Sequence, residues 1–175
     1  MEQLIKQIEQ WAEDRNIIKG TKPIDQAMKL FSEFGELADN VGKGRDCRDD
    51  IGDCAVVITI IMAQSGLSFY EYVKDCSMKS HYDLKYNVAL LGLSIGDFVS
   101  DIASNEIISS STDNFIWCIE RLNAIALQVG STLEECLQIA YNDIKDRKGV
   151  VYNGLFIKES DPAYKDALIK LGKSQ

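Results

Sequence analysis

The segment that most constrains this chain is Asp49-Asp50-Ile51-Gly52-Asp53, which runs directly into Cys54-Ala-Val-Val-Ile-Thr-Ile-Ile-Met-Ala63. Behind its acidic head it is apolar on every side of a helical wheel, and a helix apolar all round belongs in a core. The nearly unbroken run from Ala55 to Ala63 is far shorter than the ~20 residues a membrane span needs. Other helices must therefore wrap this segment, and the carboxylates at its head must be compensated or solvated.

Only Pro23 and Pro162 interrupt the 175 residues, and both stand where helices should begin. Apolar periodicity predicts helices over Glu2–Arg15, Ile24–Val41, Arg48–Gln64, Phe69–Met78, Tyr82–Asn105, Asp113–Val129, Leu133–Asp146 and Pro162–Leu171. Gly66, Gly130 and Gly149 follow as stop signals, Ser68–Glu71 and Thr132–Glu135 have the capping-box pattern, and Asp161 before Pro162 reads as an N-cap. Val150-Val-Tyr152, Asn153-Gly154 and Leu155-Phe-Ile157 read as a hairpin with a type I′ turn. The expected class is all-α with a small C-terminal β-hairpin, in one domain spanning residues 1–175. Within it, residues 1–80 carry the acids, 81–149 form a second half, and 150–175 hold the hairpin and last helix.

That second half reads as a degenerate copy of the first. Ala27–Val41 can be laid on Val88–Ile102 without a gap, matching Leu30 with Leu91, Gly35 with Gly96 and Glu36 with Asp97. Gly66–Glu71 then falls on Gly130–Glu135, Ser94 replaces Glu33, and Trp117 lies where Asp53 would be. Two unrelated amphipathic hairpins match to this degree by chance as well, so sequence leaves both readings open.

Charge and rare residues narrow the function. With 19 basic and 27 acidic side chains the net charge is −8, which argues against nucleic acid as a partner. No opening stretch resembles a signal peptide, so the expected compartment is cytoplasmic. Five cysteines without a CxxC pair point to reduced thiols, mostly in the core, rather than disulfides or zinc. The lone His81, assigned to the surface or a helix start, excludes sites that need two histidines. Trp11 and Trp117 are read as core anchors, although Trp11, Asn142 and Tyr152 are also the candidates for contact with a planar ligand.

The chemistry concentrates in four acids. Glu33 and Glu36 are neighbours one turn apart, beside a stripe of Ile24, Met28, Phe31, Phe34, Ala38 and Val41. Asp50 and Asp53 repeat that spacing on the next helix, with Asp53 sharing its face with Val57 and Ile60. No lysine or arginine is expected on the matching faces to neutralise them. Carboxylates against an apolar seam call for a hard divalent cation, Mg²⁺ with Mn²⁺ as a substitute. The competing reading is a solvated acidic face favoured by helix dipoles.

Glu33-Phe-Gly-Glu36-Leu-Ala-Asp39, a glycine-rich link, then Asp49-Asp-Ile-Gly-Asp-Cys-Ala-Val-Val-Ile58 resembles the MazG-like, all-α nucleoside triphosphate pyrophosphohydrolases. Their signature is ExxE followed by ExxD, and the resemblance implies metal binding by Glu33, Glu36, Asp50 and Asp53. Asp50 departs from it, being one methylene shorter than the family's glutamate, and Asp49 is a stand-in on a different helix face. Ala140–Glu159, with its Lys145-Asp-Arg147-Lys148-Gly, is similar to the tail of phage and prophage members of that family. It implies phosphate contacts from Lys145, Arg147 and Lys148, with Asn142 one turn earlier. The same basic residues are also what a helix C-terminus favours.

The implied reaction is NTP + H₂O → NMP + PPi, with Glu33 or Glu36 handling the attacking water and the site assembled between the two halves. Family members imply a homodimer or homotetramer. Two other classes compete: a catalytically inactive nucleotide-binding or helix-mediated regulator, and an all-α interaction protein without a nucleotide role.

Overall fold

From Asp50 to Met62 every residue except Asp53 is buried, so the long apolar segment is the spine of the fold. The computed structural model describes residues 1–76, 80–104 and 111–173. It is mostly helical, at 71%. In chain order the helices are α1 (Glu2–Asp14), α2 (Ile17–Gly20), α3 (Pro23–Lys43), α4 (Arg48–Gln64), α5 (Phe69–Val73), α6 (Leu84–Ala103), α7 (Ser111–Gln128) and α8 (Leu133–Ile144). Strands β1 (Gly149–Tyr152) and β2 (Leu155–Lys158) follow, then α9 (Tyr164–Lys170). Around α4 pack α1, α3, α7 and α8, while α6 lies against α3 and α7. Among the described residues no helix is long and apolar enough to cross a membrane.

α8 crosses α4 at close range at Gly52. A Cβ built there would stand 2.1 Å from the Cys136 carbonyl oxygen and 2.8 Å from the Ala140 Cβ. Only a residue without a side chain lets α8 seat against α4 at that depth.

The hairpin forms where the turn chemistry requires it. β1 and β2 pair antiparallel with Val150 opposite Ile157, and Asn153 and Gly154 have φ of 50° and 77°. Positive φ at both central residues is the type I′ geometry that asparagine and glycine tolerate. β1 is anchored to the start of the chain: Val151 N donates to the Arg15 carbonyl (2.8 Å), and Asn16 Nδ2 donates to the Val151 carbonyl (2.9 Å). The hairpin is thereby part of the wall that α1 and α2 build.

Several sequence expectations are corrected. The buried stripe of α3 is Ala27, Leu30, Glu33, Leu37 and Val41, whereas Met28 and Phe31 are exposed. Because α3 packs on both α4 and α6, its inward face is the one those two helices share, and Glu33 lies on it. Trp117 is 47% exposed, with Arg121 5.9 Å from its ring, and is no core anchor. Ser68 stands at the N-cap of α5 without a side-chain bond: the Glu71 N–H donates to the Ser68 carbonyl (3.2 Å), and the Glu71 carboxylate pairs with Lys74 instead of reaching back. Thr132 and Glu135 do form the reciprocal box, at 3.1 and 2.9 Å. α9 starts at Tyr164, because the Asp161 carboxylate instead accepts from Ala163 N (2.8 Å) to close a turn. The expected helix ends at Met78 and Asn105 lie outside the described residues. His81 is exposed just before α6, and four of the five free cysteines are buried.

Candidate functional site

A four-residue link between two packed helices makes α3 and α4 antiparallel neighbours. On α3, Gln26, Lys29 and Glu33 stand on successive turns; on α4, Asp53, Val57 and Ile60 do the same. These two rows face a cavity of about 380 Å³. Antiparallel packing places Glu33 with Asp53 at the end nearer the link, and Gln26 with Ile60 at the other. Seven residues from Asp53 to Ile60 make the trough ~10 Å long at the helical rise. The end nearer the link carries the ion-paired and half-buried acids, and the other mixes Ile17 and Ile60 with Thr21, Asp25 and Gln26.

The remaining walls come from distant sequence. α1 contributes Trp11, α2 Ile17, the segment after α8 Arg147, and the hairpin Val151 and Phe156. Trp11 Nε1 donates to the Ile144 carbonyl (2.9 Å), so its ring is a fixed wall and its one donor is used. Arg15 stacks over that ring at 4.7 Å and donates from Nε to the Arg147 carbonyl (2.7 Å) and from Nη2 to the Lys145 carbonyl (3.1 Å). Three main-chain oxygens at and just beyond the end of α8 are therefore held by Trp11 and Arg15, which fixes where Arg147 can reach.

The acids fall in unequal places. Glu33 is buried and ion-paired with Lys29, one turn back on the same helix. A lysine does occupy the matching face, contrary to expectation, and its position four residues before Glu33 was the signal for it. Asp53 is half-buried, and its carboxyl is pushed up to about 7, first by burial and then by the charges of Glu33 and Asp49; Lys29 and Arg147 act against this. Asp50 is buried and accepts from Asn40 Nδ2 at 2.8 Å; burial raises its carboxyl and that hydrogen bond opposes the rise. Burial and the neighbouring Asp143 likewise raise Asp49. Glu36 is exposed. Of the four acids in the signature, Glu33 and Asp53 line the cavity, and Glu36 and Asp50 do not.

Of the residues expected to hold substrate, Trp11 and Arg147 line the cavity. Lys145, Lys148 and Asn142 are exposed outside it, with Lys148 3.4 Å from Glu159 and Asn142 accepting from Gln138 Nε2 (3.2 Å). Lys29, Gln26, Ile17, Val151 and Phe156 are cavity residues beyond the sequence expectation.

Among the described residues no three His, Cys, Asp or Glu side chains converge as a ready metal cage. The two carboxylates that line the end nearer the link, Glu33 and Asp53, are the oxygen donors a hard cation takes, while the raised Asp53 carboxyl reflects burial first and the neighbouring Glu33 and Asp49 second.

Comparison with known proteins finds 49% identity over 67 residues with an uncharacterized 18.2 kDa protein of the rep-hol intergenic region of Haemophilus phage HP1 (strain HP1c1). The match covers 37% of this chain and 41% of that relative. No family model and no solved structure matches.

Proposed function

We propose that this chain hydrolyses nucleoside triphosphates to the monophosphate and pyrophosphate with the help of a divalent cation. The observation that carries the reading is the polarity of the cavity. Glu33, Asp53, Lys29 and Arg147 gather at one end, and the rest of the wall sets Trp11, Ile17, Val57 and Ile60 beside the polar Thr21, Asp25 and Gln26, inside a volume typical of small-ligand sites. A nucleotide has the same division, with charge at the phosphates and a planar, less polar base. The resemblance of the Glu33–Asp53 segment to the MazG-like signature supports the same assignment.

Glu33 and Asp53 are the residues that would hold Mg²⁺, or Mn²⁺ in its place. When bound, such an ion polarises phosphoryl oxygens and offsets the charge that develops on them. Arg147 holds the oxygens of the leaving pyrophosphate through its planar fork of donors. Glu33, fixed in the seam, orients the attacking water and accepts its proton. Trp11, Val57 and Ile60 give the base an apolar slot and keep bulk water from the reacting end. Glu36 lies one turn beyond Glu33 with a solvated carboxylate, and its part is decided by substitution.

The test is pyrophosphate release from a panel of NTPs and dNTPs with Mg²⁺, for the unaltered chain, E33Q, E36Q and D53N. Turnover abolished by E33Q and D53N supports the hydrolase. Nucleotide binding without turnover in the unaltered chain replaces it with an inactive binder. If neither nucleotide nor divalent ion raises the melting temperature at saturation, both readings fail.

A further inference from the structure

Asn40 Nδ2 donates to Asp50 Oδ2 at 2.8 Å and ties α3 to α4. Asn114 Nδ2 donates to Asp101 Oδ2 at 2.6 Å and ties α7 to α6. When α3 is laid on α6 at an offset of 61 residues, Asn40 falls on Asp101. When α4 is laid on α7 at an offset of 64, Asp50 falls on Asn114. The two bonds are one bond with its partners exchanged.

The rest of the two segments agrees. Leu30 and Leu91, Leu37 and Phe98, Ile51 and Phe115, Cys54 and Cys118, and Ile58 and Leu122 are each buried as a pair. Gly66 and Gly130 stop α4 and α7 with φ of 72° and 76°. After them Leu67 N bonds the Met62 carbonyl (2.8 Å), and Ser131 N bonds the Ala126 carbonyl (3.0 Å), the same closure 64 residues on. Helix contacts obey the same exchange: α3 with α4 has its mate in α6 with α7, α4 with α8 in α7 with α5, and α4 with α5 in α7 with α8. Contacts of α3 with α6 and of α4 with α7 map onto themselves. That is the signature of an isologous, twofold arrangement.

We infer that α3–α5 and α6–α8 are two copies of one helical unit, and that Asp50 is the acidic half of a clasp this unit carries in both copies, so that Asp50 serves the helix pair rather than the metal. The clause about metal rests on the hydrolase reading above. In the second copy the clasp persists although Ser94 and Trp117 stand where Glu33 and Asp53 would be, so the bond needs no metal site beside it. Which helix supplies the acid is interchangeable, as a hydrogen bond permits and a ligand tied to one helix does not. Asp50 also lies outside the cavity wall that Glu33 and Asp53 form.

The D50N variant still offers an amide oxygen to Asn40 but carries no charge, which separates the two roles. Titration of Mn²⁺ into the full-length chain is expected to give a dissociation constant for D50N within about threefold of the unaltered chain, against roughly tenfold or more weakening in D53N. Tenfold weakening in D50N at unchanged melting temperature overturns the assignment. The clasp is read separately by melting without metal: N40A and N114A each lower Tm by roughly 2–4 °C, and the exchanged pair N40D/D50N restores it. If N40A and N114A leave Tm unchanged, or the exchange fails to rescue while N114D/D101N also fails, the clasp is wrong. A chain that binds no Mn²⁺ at all removes the hydrolase reading, while the melting arm still decides the clasp.

Discussion

The indole Nε1 of Trp11 and the carbonyl oxygen of Ile144 are joined at 2.9 Å, 133 residues apart in sequence. This bond sets the first helix against the end of α8 and so brings Arg147 to the same cavity as Glu33 and Asp53. W11F keeps an aromatic wall but removes this bond, leaving the Ile144 oxygen with the Arg147 N–H as donor (2.9 Å). It is expected to lower stability by about 0.5–1.5 kcal/mol in chemical denaturation. Nucleotide affinity measured by titration should fall with it, because the Arg147 segment loses one of its holds.

Stability of the metal-free chain should depend on pH through Asp53. Its carboxyl is raised from 3.8 to about 7, so the folded state holds its proton more tightly than the unfolded chain. Folding then takes up a proton between those values, and stability falls as pH rises from about 4 to about 7, then levels off. Melting curves in chelator across that range should show the decline, and D53N should flatten it. A D53N slope equal to that of the unaltered chain would place the titration elsewhere.

Lys29 is the counter-ion of a buried carboxylate while its own side chain is 58% exposed. Solvent screening keeps the pair weak, so K29M is expected to cost only about 0.5–1 kcal/mol without metal. A divalent cation held by Glu33 and Asp53, as proposed, would supply the missing charge. Added Mg²⁺ should therefore raise the Tm of K29M more than that of the unaltered chain.

R147A removes a planar cation from the cavity without removing a buried contact, since Arg147 is exposed. Tm should stay within a degree or so, while affinity for a triphosphate falls about tenfold and affinity for the nucleoside changes little, consistent with loss of a charge-assisted bond. Equal losses for both ligands would put Arg147 at the base instead.

Periodicity made most helices legible, and Asn153-Gly154 gave the hairpin its register, because both signals are local. The face of α3 was not legible: at 100° per residue the apolar stripe through Met28 and Phe31 and the one through Leu30 and Leu37 are both acceptable, and packing against two helices chose the second. The same choice buried Glu33 and left Glu36 in solvent. Trp117 read as core because large aromatics usually are, yet nothing in the described fold covers its outer side enough to bury it. The cavity itself needed Trp11, Arg147 and Phe156 from separate parts of the chain, and no spacing rule connects them.

Gly52 gives the most direct test of the packing that supports the site. An alanine Cβ there would meet the Cys136 carbonyl oxygen at 2.1 Å and the Ala140 Cβ at 2.8 Å, both fixed parts of α8 rather than yielding side-chain ends. α8 must then move away from α4, and overpacking of this kind typically costs about 1–3 kcal/mol or more. The intrinsic helix preference of alanine over glycine, about 1 kcal/mol, acts in the opposite direction. The steric cost is expected to win, because helix backbone cannot rotate aside as a side chain can. G52A should therefore lower the denaturation midpoint, while G35A, at an exposed position with no neighbour within 4 Å, should raise it. Because α8 carries Arg147 behind it, G52A should also weaken nucleotide binding, and G35A should not.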